Sequence, residues 1–176
     1  MPDKQLGRPE PLSPTGEDLR VSEVINAVAA RLNTILGNSV AEEYFFGVLL
    51  TYSLIENLLK WLAFVKLIWN YSDTGVIEDA NIRNISTYFD RLSLYNVQHL
   101  GFALGIITLP LFERIDKIRT RRNHHVHELW LLSDMRDPAK LRAELEEVTR
   151  VANDLVAAFN ALIKEVGVDE VDQLFF

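Results

Sequence analysis

The sequence contains no cysteine among its 176 residues. This absence excludes disulfides, catalysis by a cysteine thiolate and zinc sites with cysteine ligands, and it agrees with a reducing compartment. The chain also has no glycine-rich phosphate-binding loop, and no alternating strand pattern competes with its helical periodicity. We therefore expect an all-α, cytoplasmic protein.

Proline is scarce outside the start of the chain, because four of the six prolines fall within residues 1–14. This segment has no apolar core, so it does not have the pattern of a signal peptide. We expect residues 1–14 to form a disordered N-terminal tail and residues 15–167 to form one helical domain. Residues 168–176 are acidic and end in apolar residues, and we expect them to form a C-terminal tail.

One long hydrophobic run covers residues 44–69 and has the length of a membrane span. It carries Glu56, Asn57, Lys60 and Lys66, however. Charged side chains are costly in lipid, so the run is more typical of a buried helix in a soluble bundle. We expect no membrane partner.

The charge balance is acidic, with a formal net charge of −7. This balance disfavours a general nucleic-acid binder, which is usually basic overall. The charge is uneven, however, because residues 114–122 contain five Lys or Arg residues and one acid. A local basic strip on an acidic body can still contact a phosphate backbone at one place.

Apolar residues at helical spacing predict an all-α, four-to-five-helix bundle, with four main helices and one or two short ones. The predicted segments are 15–37, 39–69, 78–91, 93–107, 109–131 and 138–167. Gly37 and Gly167 end two of these runs, and Pro110 suits the first turn of a helix.

The decamer RRNHHVHELW, residues 121–130, holds three of the four histidines of the chain. Histidines 124, 125 and 127 lack the four-residue spacing that places two metal ligands on one helical face. Glu128 is the one further ligand nearby. The spacing therefore predicts no metal site, and no motif indicates a cofactor.

Arg122 interrupts an apolar stripe, which comprises Leu111, Ile115, Ile118, Val126 and Leu129. An arginine that points toward a core must be paired or must line a polar cleft, since an isolated buried charge is very costly. One interpretation is a structural ion pair with Glu56 in the long hydrophobic helix. The other is a functional cleft, in which Asn123 hydrogen-bonds His127 one turn later and orients its ring.

Arginine, asparagine and histidine together suit RNA phosphodiester cleavage. An imidazole can take the proton from a ribose 2′-hydroxyl or give one to the leaving 5′-oxygen. A guanidinium can hold the phosphate and stabilise its added charge. This chemistry needs no metal, and it cleaves RNA but not DNA, because only RNA carries the internal nucleophile.

The segment Arg122-Asn-His-His-Val-His127 resembles the R-x4-6-H motif of HEPN domains, including the polar residue after the arginine. Its position near the end of a late helix, with one more long helix following, is also similar. The resemblance covers roughly residues 20–165 and implies a HEPN-like bundle. It further implies a metal-independent endoribonuclease that works as a homodimer, as many toxins and antiviral defence proteins of that family do.

The resemblance also implies roles for individual residues. Arg122 would bind the phosphate, Asn123 would be the polar orienting residue, and His127 would be the general acid/base. By charge alone, the candidate RNA contacts are Lys117, Arg119 and Arg121. The expected partners are RNA, a second copy of the chain and a cognate antitoxin or other protein. The alternative is a non-catalytic, HEPN-like dimeric binding or scaffold module.

Overall fold

The computed structural model describes residues 21–38, 40–72, 79–127 and 137–166. Within these ranges the side chains of eight residues are not described: Ser72, Asp79, Ala80, Ile82, Arg83, His124, Val126 and His127. The two predicted tails, the predicted end of the fifth helix at residue 131 and Trp130 lie outside the described residues.

Six helices make up the described fold. They are α1 (Val21–Gly37), α2 (Ala41–Ser72), α3 (Asp79–Asp90), α4 (Leu94–Ala103), α5 (Leu109–His127) and α6 (Pro138–Val166). No strand occurs in the four described ranges. The all-α prediction is confirmed, with six helices instead of the four to five expected, because both short segments, α3 and α4, are separate helices.

Helix α2 is the centre of the bundle and packs against each of the other five helices. Residues on several sides of it, including Tyr52, Ile55 and Leu62, are almost completely buried. By length and composition Ala41–Tyr71 could cross a membrane, yet 61% of its most apolar window is buried by the protein. The core helix of a soluble protein has the same character, and α2 is the core helix of this fold.

Helices α4 and α5 form a unit at one side of α2. The Ser93 hydroxyl caps α4 by accepting a hydrogen bond from the Asn96 backbone N–H at 3.3 Å. After α4 the chain passes through Gly105 with a φ of 70°, a left-handed conformation that favours glycine. The buried Gln98 side chain then ties the helices together by donating to the Phe112 carbonyl oxygen at 3.0 Å.

Helix α6 begins as the sequence predicts. The Asp137 carboxylate accepts hydrogen bonds from the backbone N–H groups of Ala139 at 3.0 Å and Lys140 at 3.3 Å. The apolar residues at helical spacing in α6 are buried, from Leu141 through Leu155 to Val166. This face packs mainly against α2, so α6 supplies the other half of the core.

Candidate functional site

The buried face of α5 leads directly to Arg122. Ile115 and Ile118 are fully buried on this face, and Arg122 follows one turn later with 34% of its side chain exposed. Its Nη1 donates to the Glu56 Oε2 at 2.7 Å. The predicted ion pair with Glu56 is therefore confirmed, and it connects the end of α5 to the middle of α2.

Glu56 forms ion pairs with two cations. Its other oxygen, Oε1, lies 3.1 Å from the Nζ of Lys60, one turn later in α2. Lys60 also donates to the backbone carbonyl oxygen of Asp90, the last residue of α3, at 3.0 Å. The chain of charges from Arg122 through Glu56 to Lys60 thus joins three helices and leaves the largely buried Glu56 carboxylate well compensated.

The remaining predicted catalytic residues lie in the last turns of α5. Asn123 is on an exposed surface of the helix. His127 is the last residue of α5, and its backbone is described. Its side chain is outside the described part of the structure. The expected hydrogen bond between Asn123 and His127 therefore stays a prediction.

His125, another histidine of the decamer, has polar and aromatic neighbours that sequence reasoning missed. Its Nε2 lies 3.0 Å from both carboxylate oxygens of Glu144 in α6. The same carboxylate accepts a hydrogen bond from the Tyr52 hydroxyl at 2.6 Å. The ring of Phe45 meets the imidazole edge-on, with 6.0 Å between the ring centroids. We call Tyr52, Glu144 and His125 the three-helix network, because they come from α2, α6 and α5.

Burial and hydrogen bonding act in opposite directions on this network. Burial raises the pKa of the Glu144 carboxyl, but hydrogen bonds from His125 and Tyr52 outweigh it, and the pKa lies below its ordinary value. Burial, reinforced by the hydrogen bond to Glu144, raises the pKa of the Tyr52 hydroxyl well above its ordinary value. The network therefore holds a carboxylate and a neutral phenol over a wide pH range.

The three cations that the sequence predicts as RNA contacts differ in their ion-pair partners. Arg121 pairs with Glu147 of α6, and this hydrogen bond raises the pKa of its guanidinium. Arg119 binds Asp116 within α5 through its Nη2 at 2.7 Å. Lys117 is exposed and makes no ion pair within the described ranges. The basic strip is thus divided among several sides of α5, and most of its charge is matched by carboxylates.

No metal-binding group is formed by the side chains that the structure describes, since no three His, Asp or Glu residues converge there. No family model, curated protein or solved structure matches this chain.

Replacing Tyr52 with phenylalanine is expected to lower the free energy of unfolding at pH 7 by about 1.5–3 kcal/mol, because a hydrogen bond to a charged group is lost. Since folding raises the pKa of Tyr52, its contribution is complete below the unfolded pKa of about 10 and is lost as the pH rises above it. The difference between the two proteins should therefore shrink above pH 10. Urea unfolding at several pH values measures it.

Tyr88 provides the matched control, since it is 61% exposed on α3. Tyr88→Phe should change the free energy of unfolding by less than about 0.5 kcal/mol at pH 7. A Tyr52→Phe effect that stays constant from pH 7 to pH 11 would contradict the assigned linkage.

Proposed function

We propose that this chain is a metal-independent endoribonuclease of the HEPN type, which acts as a homodimer in a toxin or antiviral defence system. The observation that carries the proposal is the placement of Arg122 at the end of α5. Its guanidinium is held by Glu56, 34% of its side chain is exposed, and the exposed Asn123 follows directly in the chain. A fixed, partly exposed guanidinium suits phosphate binding, because little side-chain entropy remains to be lost.

In the proposed reaction, the Arg122 guanidinium binds non-bridging oxygens of the scissile phosphate and stabilises the charge that develops on them. His127 takes the proton from the ribose 2′-hydroxyl, whose oxygen attacks phosphorus. The bond from phosphorus to the 5′-oxygen breaks, and that oxygen leaves with a proton from a second imidazole. The products are a 2′,3′-cyclic phosphate end and a 5′-hydroxyl end.

Helix geometry supports the homodimer in this proposal. Arg122 and His127 are five residues apart, which separates them by about 140° around an ideal helix. Two such side chains from one straight helix point away from each other. A second copy that faces the first across a shared cleft brings the arginine of one chain toward the histidine of the other, and it also supplies the second imidazole.

The charge distribution supports a selective enzyme over a general RNA degrader. The body of the protein has a net charge of −7, and Arg119 and Arg121 are engaged by carboxylates. Lys117 is the exposed cation of the predicted RNA contacts. Affinity for bulk RNA should therefore be modest, and we propose a specific target RNA, with a cognate antitoxin or another protein as partner.

The alternative is a non-catalytic, HEPN-like dimeric binding or scaffold module. The ion pair between Arg122 and Glu56 favours it, because a carboxylate already occupies the arginine that a phosphate would need. In that function Arg122 is a structural residue that ties α5 to α2, and the chain has no turnover.

Incubation of the intact chain with single-stranded and structured RNAs in the presence of EDTA tests the proposal. We expect cleavage that EDTA leaves unchanged, products with cyclic phosphate ends, and no cleavage of DNA of the same sequence. A folded protein that cuts none of these RNAs would leave the binding module as the function. Cleavage that EDTA abolishes would indicate a metal-dependent reaction.

A further inference from the structure

Four rings form a continuous row across the surface of α4 and α5. Tyr95, His99 and Phe102 lie at positions i, i+4 and i+7 of α4, and Phe112 comes from α5. The centroid distances are 4.2 Å for Tyr95–His99, 5.0 Å for His99–Phe112 and 5.2 Å for Phe102–Phe112. We call these four residues the aromatic ladder.

Two rings of the ladder, Tyr95 and Phe102, are exposed to solvent. Tyr95 is 50% exposed and Phe102 is 44% exposed, and Leu109, the first residue of α5, is 54% exposed. The contact between α4 and α5 is already made by Phe112 and by the buried Gln98 beneath it. The exposed faces of Tyr95 and Phe102 are thus apolar surface in contact with water, and a ligand could cover this surface.

A helix without charged residues and one guanidinium at its end allow the ladder to meet an anionic, aromatic ligand. Helix α4 contains no Asp, Glu, Lys or Arg, so no carboxylate of this helix repels a phosphate backbone. At one end the Arg119 guanidinium lies 5.1 Å from the centroid of the Tyr95 ring. The Arg119 Nη2 also donates to the Asp116 carboxylate at 2.7 Å, so this acid faces the guanidinium at the end of the ladder.

The ladder begins close to the candidate site. Arg119 precedes Arg122 by three residues of α5, a rise of about 4.5 Å along the helix axis. From Tyr95 to Phe102 the ladder extends about 10 Å along α4, because each residue rises 1.5 Å. This length offers two exposed rings, one for each of two unpaired bases.

We propose that the aromatic ladder binds single-stranded RNA by stacking, with unpaired bases on Tyr95 and Phe102 and an adjoining phosphate at Arg119. Aromatic platforms beside cations are the general means of holding unpaired nucleotides. The proposal rests on the proposed function, since it names the part of the substrate that flanks the cleaved bond. It accounts for exposed rings that neither the core nor the cleavage chemistry uses.

Binding of a fluorescently labelled single-stranded RNA of about 12 nucleotides tests the proposal, with 2′-O-methyl groups throughout to prevent cleavage. We expect the dissociation constant of the double variant Tyr95→Leu and Phe102→Leu to rise about 100-fold, about tenfold for each ring. Leucine keeps the surface apolar but removes the flat ring. The control Tyr88→Leu removes an exposed ring on α3, 61% exposed, and should bind like the intact chain.

Three further measurements separate the outcomes. An abasic strand of the same length should bind the intact chain as weakly as the double variant binds the normal strand. Circular dichroism must show that the double variant is folded. The single variants Tyr95→Trp and Phe102→Trp keep a flat ring and should keep tight binding. Unchanged RNA affinity in the double variant overturns the proposal. So does a loss of self-association without a loss of RNA binding, because the ladder would then be a contact between two copies.

The result is distinguishable from a failure of the proposed function. If the chain cuts no RNA but binds it through Tyr95 and Phe102, the stacking site stands and the nuclease does not. If the chain cuts RNA and the ladder variants bind it as tightly as the intact chain, the nuclease stands and the stacking site does not.

Discussion

Replacing His127 with alanine is expected to slow RNA cleavage about 10²–10⁴-fold, because a positioned general acid or base contributes about that factor. Arg122→Ala is expected to slow it about 10²–10³-fold, as the loss of one donor to a developing oxyanion does. The rate is measured as single-turnover cleavage in EDTA with excess protein, so that the chemical step is followed. Neither substitution introduces a new charge into the described core.

Arg114 offers a matched control on the same helix. It is 38% exposed and pairs with Asp154 of α6 at 2.5 Å, so Arg114→Ala also removes a partly exposed ion pair from α5. Cleavage by this variant should stay within about twofold of the intact chain. Equal losses in Arg114→Ala and Arg122→Ala would mean that the rate follows the general stability or charge of α5 and not a phosphate contact.

Arg122→Lys separates the two functions of this arginine. A lysine can keep a charge beside Glu56, so the stability of the fold should change little. It lacks the planar fork that holds a phosphate at two points, so cleavage should still fall at least tenfold. Full activity in Arg122→Lys would argue against bidentate phosphate binding, and a large loss of stability would favour the purely structural function.

Replacing Glu144 with alanine is expected to lower the free energy of unfolding by about 2–4 kcal/mol, which is the largest stability effect that we expect outside the apolar core. The substitution removes the acceptor of two groups, the hydroxyl of the almost completely buried Tyr52 and the imidazole of His125. Each polar group left without a partner in a buried position costs about 1–3 kcal/mol. Urea unfolding at pH 7 measures the loss.

Two controls accompany this substitution. Glu144→Gln keeps the shape and one acceptor oxygen, so its loss should be smaller than that of alanine. Glu146→Ala removes an exposed ion pair with Arg142 on the same helix and should change stability by less than about 1 kcal/mol. A Glu144→Ala protein as stable as Glu146→Ala would show that the three-helix network does not stabilise the fold.

Local periodicity predicted much of the fold. The spacing of apolar residues in α6 predicted its buried face, since a helix repeats its contacts every three or four residues. The same spacing places Arg122 on the buried stripe of α5, and an arginine that points inward needs a carboxylate. Glu56, in the middle of the most apolar helix, was the natural partner, and the two side chains meet.

Helical periodicity cannot predict the three-helix network, because the residues in contact are distant in the chain. Tyr52 and Glu144 are 92 residues apart, and their meeting depends on how α2 and α6 pack. One signal was present in the sequence: Glu144 follows Leu141 by three residues and so lies at the edge of the buried stripe of α6. A carboxylate at such a position indicates a polar partner, but it does not identify His125.

The division of the basic strip was also hidden in the sequence. In the sequence, five cations in residues 114–122 form one basic strip, yet a helix turns about 100° per residue and spreads consecutive charges around its axis. The acids that match them are on other elements, such as Asp154 and Glu147 of α6. Where those carboxylates lie depends on tertiary packing, which composition does not report.

The central claim is that this chain cuts RNA by means of the internal 2′-hydroxyl and without a metal. The most direct measurement compares two RNAs that differ at a single cleaved nucleotide, one with its 2′-hydroxyl and one with 2′-deoxyribose, both incubated with the intact chain in EDTA. We predict that only the first is cut there, leaving a 2′,3′-cyclic phosphate. Equal cleavage of both RNAs, or none of either by a folded and dimeric protein, would contradict it.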